Sequence, residues 1–191
     1  MKIIKSIAAY SYAALLCVAA AACGDDPLPK PKAYLRLDYP EAKYSLYESS
    51  NCPYSFAVNT LSQTKDKGTC NITIEYPKMK ATIYINYKPI TARNLDSLLR
   101  DAQNLTYKHV IKADGIQEQR YINPLKRVYG MFYQVGGNAA TNAQFYVTDS
   151  TRHFLTGSVY FYAKPNFDSI MPAASYIKND MQNIMETLNW K

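Results

Sequence analysis

The chain has 191 residues, of which 48% are hydrophobic and 19% charged, enough for one domain with an ordinary core. The apolar share excludes intrinsic disorder, and only 7 Gly and 10 Pro exclude collagen-like or low-complexity sequence. The net charge of +7 falls to +5 once a leader bearing Lys2 and Lys5 is set aside. That charge is mild and scattered, and with no nucleic-acid-binding motif it argues against a nucleic-acid partner.

Lys2 and Lys5 precede an uncharged, alanine-rich stretch over residues 7–22. A basic start, a short apolar run and small residues before a cleavage point are the layout of a secretory signal. The stretch is too short and too rich in alanine to read as a spanning helix. It ends Ala20-Ala21-Ala22-Cys23, which resembles a bacterial lipobox, with alanine where leucine is commoner at the first position. The resemblance implies cleavage before Cys23 and lipidation of its thiol. Cys17 is the poorer candidate, because bulky Leu16 precedes it. The expected organisation is a signal peptide over 1–22, a lipidated Cys23 with a Pro-rich spacer to residue 32, and a single domain over 33–191. The prolines of the spacer alternate with other residues; an extended conformation would carry its nine residues across about 28 Å.

Export makes the other cysteines readable. Cys52 and Cys70 remain as an even pair in an oxidising compartment, and one disulfide closing a loop of roughly 18 residues would contribute about 3 kcal/mol. Cys52-Pro53-Tyr54-Ser55 looks like a glutaredoxin motif that has lost its second thiol. A redox thiol needs a helix N-terminus to lower its pKa, whereas residues 55–59 alternate like a strand.

From residue 33 onward most of the pattern is strand. Residues 34–38 alternate until Pro40; residues 70–76 alternate through Ile72 and Ile74. Over 81–87, Ala81, Ile83 and Ile85 share one face, while Thr82, Tyr84 and Asn86 share the other. A helix follows, with Asn94 as cap and Leu95, Leu98, Leu99, Ala102, Leu105 and Val110 as its stripe. Strands are expected over 128–135, 143–148 and 154–163. Gly136-Gly137-Asn138 suits the first hairpin and lacks the spacing and lysine of a phosphate loop. The last helix is expected to begin near Pro172, with Ile177, Met181, Ile184, Met185 and Leu188 facing the core and Trp190 beyond its end. This order predicts an α+β domain with a largely antiparallel sheet and helices packed on one face. It resembles the photosystem-subunit/Mog1-type sandwich.

Chemistry is thin. The two histidines, His109 and His153, do not pair at ligand spacing, and no nucleophile elbow is present, so no catalytic residue, cofactor or metal is expected. Asp25-Asp26 behind Cys23 reads as solvation of the spacer. The triplets at Asp96, Asp149 and Asp168 resemble an O-glycosylation acceptor, and Asp-Ser is equally cap and turn chemistry. Tyrosine, at 18 copies, is the positive signal. Tyr84, Tyr146, Tyr160 and Tyr162 fall opposite the apolar sides of their strands, giving a face suited to a glycan, a small ligand or a protein partner. The alternative is that helices or the N-terminal arm cover it.

Several runs are similar to the GldD family of gliding-motility lipoproteins of Bacteroidota. They include Leu28-Pro29-Lys30-Pro31-Lys32-Ala33-Tyr34-Leu35-Arg36-Leu37, Cys52-Pro53-Tyr54-Ser55-Phe56 and Tyr76-Pro77-Lys78-Met79-Lys80-Ala81-Thr82-Ile83-Tyr84. Asn94-Leu95-Asp96-Ser97-Leu98-Leu99-Arg100-Asp101, Val128-Tyr129-Gly130-Met131-Phe132-Tyr133-Gln134-Val135-Gly136-Gly137, Gly157-Ser158-Val159-Tyr160-Phe161-Tyr162 and Lys164-Pro165-Asn166-Phe167-Asp168-Ser169 continue the likeness. Residues 41–67 are the least similar, and Ala57 stands where an acidic residue is expected. The resemblance implies a membrane-anchored accessory of gliding that acts with protein components of the type IX secretion machinery. It would face the periplasm in the cell envelope, and the resemblance brings no enzymatic activity or cofactor with it.

Overall fold

Alternating apolar and polar residues build the larger of two sheets. The computed structural model describes residues 37–91, 93–108, 113–137, 141–162 and 167–191. The expected signal peptide, Cys23, the expected spacer, residues 34–36, His109, Val110, Asn138 and Ala163 lie outside the described residues.

The large sheet holds β3 (Gln63–Asp66), β4 (Ile72–Tyr76), β5 (Ala81–Pro89), β6 (Ala113–Asn123), β7 (Val128–Gly137), β8 (Ala143–Thr148) and β9 (His153–Phe161), in the order β3-β4-β5-β9-β8-β7-β6. All its pairs are antiparallel. The small sheet holds β1 (Tyr44–Glu48), β2 (Tyr54–Asn59) and β10 (Asn189–Trp190) around a central β2, again antiparallel. The helices are α1 (Leu95–Tyr107) and α2 (Phe167–Thr187), so the domain is α+β and largely antiparallel, as the sequence predicts.

One face of the large sheet is apolar. Ile72 and Ile74 of β4, Ile83 and Ile85 of β5, Leu155 and Val159 of β9, and Phe145 and Val147 of β8 join one core with Ile177, Met181, Ile184 and Met185 of α2, with Leu188 just after it, and with Tyr54, Phe56 and Val58 of β2. Gly157 of β9 belongs to this face because a Cβ there would lie 2.2 Å from the Phe145 ring; its absence lets the ring cross the strand. Among the described residues, no helix is long and apolar enough to cross a membrane.

The helices do not share a face. α2 covers the apolar face, but α1 lies on the opposite one, where Thr106 Oγ1 donates to Gln144 Oε1 of β8 at 3.2 Å. The cause is the thin stripe of α1: Leu98 is its one buried leucine, and Leu105 is 39% exposed, so it suits a mixed sheet face and not the main core. Asn94 stands at the N-cap of α1, where its carbonyl accepts from Leu98 N–H at 2.9 Å, but its side chain makes no capping bond. Its Oδ1 accepts from Thr91 N–H and its Nδ2 donates to the Pro89 carbonyl, tying the preceding loop together. α2 begins ahead of Pro172, which lies inside the helix and removes one backbone donor there. β4 starts at Ile72 and not at residue 70, because Thr69 and Cys70 take positive φ angles of 52° and 60°. Leu37 and Asp38 have no regular structure.

Candidate binding face

Polar alternation along β4, β5, β8 and β9 leaves the second face of the large sheet rich in hydroxyls and rings, and α1 covers only part of it. Register places Thr82 of β5 opposite Tyr160 of β9, and Tyr84 opposite Ser158. Tyr84 and Tyr160 are thus diagonal neighbours, and their rings meet edge to face with centroids 5.6 Å apart at 80°. Tyr162, just beyond β9, turns back over them: its hydroxyl lies 2.7 Å from Thr82 Oγ1 and 3.5 Å from the Tyr84 hydroxyl. Tyr84 and Tyr162 remain 37% and 67% exposed. The hydrogen bond with Tyr162 raises the Tyr84 pKa, while bonds with Thr82 and Tyr84 lower that of Tyr162. Beside them the Lys65–Glu75 ion pair joins β3 to β4. The patch offers ring faces, hydroxyls and one ion pair, the chemistry of a recognition surface.

The structure brings together Tyr84, Tyr160 and Tyr162 but not Tyr146. Tyr146 stacks on Phe154 at 5.7 Å and tilts against Tyr133 at 6.3 Å, half-buried beside α1. A cleft of about 290 Å³ runs between α1 and the sheet, lined in part by Asn86, Lys88, Asp101, Leu105 and Phe154. Asn86 follows Tyr84 on the same face of β5, so cleft and tyrosine patch adjoin.

A buried polar cluster on the other side has no signal in residue spacing. Asp180 of α2 accepts from Tyr44 Oη at 2.8 Å, Tyr76 Oη at 2.9 Å and Asn59 Nδ2 at 2.9 Å, and Asn59 Nδ2 also reaches Tyr176 Oη at 3.0 Å. Burial raises the Asp180 pKa, although its three donors pull the other way. Burial likewise raises the Tyr44 and Tyr76 hydroxyls far above neutrality. These partners come from β1, β2, β4 and α2, too far apart in sequence for spacing to reveal. A second cleft of about 510 Å³ adjoins Tyr76, with Tyr39, Leu61, Lys78 and Met79 among its walls.

His153 is a packing residue. Its Nδ1 shares a hydrogen bond with Tyr87 Oη at 2.9 Å, its ring stacks on Trp190 at 5.2 Å, and burial lowers its pKa. Asp149 shapes the turn before it. Its Oδ1 accepts the backbone N–H groups of Thr151, Arg152 and His153, and its Oδ2 the Thr151 hydroxyl. Cys52 and Cys70 are joined in a disulfide with Cα atoms 5.3 Å apart, tying the segment before β2 to the one before β4. Among the described residues, no group of three or more His, Cys, Asp and Glu could hold a metal ion.

Fold and faces therefore define an α+β domain with a tyrosine-bearing sheet surface. The family model described as gliding motility lipoprotein GldD matches residues 24–190, and the chain belongs to that family. It is a gliding-motility lipoprotein, of a kind held at a membrane by lipid. No curated protein matches the chain. Among solved structures it is similar to the solution structure of cyanobacterial PsbP (CyanoP) from Synechocystis sp. PCC 6803. That likeness has 10% identity and a TM-score of 0.48, covering 87% of this chain and 98% of that one.

Proposed function

We propose that this lipoprotein is a non-enzymatic accessory of the gliding and type IX secretion machinery. Cys23 anchors it in the cell envelope facing the periplasm, residues 24–32 hold the domain off the bilayer, and the domain binds a protein component of the apparatus. The observation that supports this reading is the family match over residues 24–190, which takes in the spacer together with the domain. More than one acyl chain on Cys23 would give firm attachment, since a single chain binds membranes only reversibly. The test is deletion in the native host, followed by re-supply of the intact gene or of Cys23→Ala. Loss of both surface spreading and type IX cargo secretion, rescued only by the acylatable form, is the expected result. Normal spreading with normal secretion after deletion would overturn it.

A second reading has its own observation, the Tyr84–Tyr160–Tyr162 patch. In that reading the face binds a glycan or small ligand. Envelope glycans titrated into the protein would then change tyrosine emission saturably, and Tyr162→Ala would abolish the change. A silent titration counts against this reading.

A further inference from the structure

The longest strand among the described residues stands at an edge. β6 spans 11 residues, Ala113–Asn123, and pairs β7 on one side; no strand among the described residues pairs its other side. Residues 117–120 are exposed, and Ile122 is 58% exposed. Soluble proteins shorten such edges or arm them with lysine or proline. The opposite edge of the same sheet follows that rule, for β3 has 4 residues and includes Lys65 and Asp66. β6 carries neither lysine nor proline; its charges are Asp114, Glu118 and Arg120, and its register irregularity falls at the very start, between Ala113 and Gly115, leaving residues 116–123 regular.

The residues of β6 are also complementary to themselves. Two copies of one strand related by a two-fold axis pair antiparallel, and facing residues must both be of the inward or both of the outward type. The axis therefore passes through a residue position. Centred on Glu118 it would set Glu118 against Glu118, and centred on Arg120 it would set Arg120 against Arg120, both unfavourable. Centred on Gln119 it sets Glu118 opposite Arg120 twice, Ile116 opposite Ile122 twice, and Gln117 opposite Tyr121 twice. Ile116, Glu118, Arg120 and Ile122 all lie on the α1 side, since Glu118 faces Tyr133 in the register and accepts from Tyr107 Oη of α1. Gln119 lies on the α2 side, where its Oε1 accepts from Gln182 Nε2 at 3.2 Å. Of the three charged residues of β6, Asp114, Glu118 and Arg120, a centre on Gln117 would set Arg120 opposite Asp114 but leave Glu118 against Ile116. Among centres from 117 to 121, only Gln119 sets both Glu118 and Arg120 against opposite charges and covers exposed Ile122 with an apolar partner.

We propose that two copies of this lipoprotein pair through β6, antiparallel about Gln119, joining their large sheets into one continuous sheet. The occupant of the edge is a second copy of this chain, selected by opposite charges at 118 and 120. Such an isologous contact closes on itself and gives a dimer, not a filament.

Cysteine scanning of the full-length lipoprotein in its native membranes tests this. Facing residues of an antiparallel pair have Cα atoms about 4.5–5.5 Å apart, within disulfide reach. Gln119→Cys should give a band of twice the monomer mass on mild oxidation. Gln117→Cys alone should give little, because its own copies would sit four residues out of register, but it should cross-link when mixed with Tyr121→Cys. Arg120→Glu should reduce the Gln119→Cys dimer at least tenfold, and adding Glu118→Arg should restore it. A monomeric band at 119, equal cross-linking at 117 and 119, or failure of the charge swap to restore pairing would overturn the proposal. So would capture of a different protein by Gln119→Cys in cells, which would make β6 an acceptor for a partner strand.

Discussion

Asp149 and Asp180 sit in environments that move their acidities in opposite directions. Burial alone would raise Asp149, but the N–H groups of Arg152, His153 and Thr151 and the Thr151 hydroxyl outweigh it and hold the pKa lowered, at about 2. Asp180 is raised, with burial the dominant cause. A carboxyl depressed on folding contributes stability that is present above its unfolded pKa near 3.8 and is lost as pH falls through its folded value. For Asp149 that window runs from about pH 4 down to pH 2 and is worth about 2 kcal/mol. A carboxyl raised on folding has the reverse sign, so Asp180 contributes most below its unfolded pKa and less as pH rises through its folded value. Urea unfolding of Asp149→Asn across pH 2–5 should therefore show a flatter acid limb than the wild type, since Asn keeps an acceptor for the turn but cannot titrate. Superimposable limbs would mean the turn carboxylate does not set acid stability. In Asp180→Asn the decline above pH 4 should be the feature that disappears.

At the scale of elements, the helices differ in what they bury. In α2, Ile177 and Met181 are fully enclosed and Ile184 and Met185 nearly so, with Leu188 just past its end also enclosed, whereas α1 encloses only Leu98 and Thr106. Elements with few buried apolar contacts open locally, at a lower free energy than global unfolding. Native-state hydrogen exchange should show α1 amides exchanging through such openings while α2 amides exchange at the global limit. Leu98→Ala should lower protection in α1 and leave α2 unchanged; equal protection in both helices would refute the distinction. The same contrast explains what could be read from sequence. β4, β5, β8 and β9 were legible because one face meets the apolar core while the other carries polar side chains and tyrosines, which writes a period of two into the residues. β6 was not, since an edge strand with Gln117, Glu118, Gln119 and Arg120 in a row buries neither face strongly enough to alternate. β1 is likewise mostly exposed, with only Tyr47 packed on the core against Phe56. The placement of Tyr84, Tyr160 and Tyr162 was legible because each sits beside clear alternation. Burial of Tyr146 was not, because it depends on where α1 lands. The Asp180 cluster joins groups up to 136 residues apart, and no local pattern encodes that.

At the scale of the whole molecule, the covalent tie among the described residues is Cys52–Cys70, which links the segment leading into the small sheet to the one leading into β4 of the large sheet. Noncovalent contacts reinforce it: Tyr54 Oη donates to the Cys70 carbonyl at 2.7 Å, and Lys191 N–H donates to the Pro53 carbonyl at 2.9 Å. The disulfide acts largely on the unfolded chain by shortening its loop, and at a separation of 18 residues that is worth about 3 kcal/mol. The shared core of α2, β2 and the apolar sheet face does not depend on it. Replacement by Cys52→Ala with Cys70→Ala should therefore lower the unfolding free energy by about that amount and leave the folded tyrosine face unaltered in its NMR spectrum. A loss of native spectrum at low temperature would show instead that the bond positions the small sheet. In the native host the double variant keeps its anchor and its surfaces. Its spreading defect should thus be confined to elevated temperature, whereas Cys23→Ala, under the proposed role of Cys23 as the lipid anchor, should fail at every temperature. Equal defects at low temperature would mean that loss of the disulfide disables the domain while it is still folded.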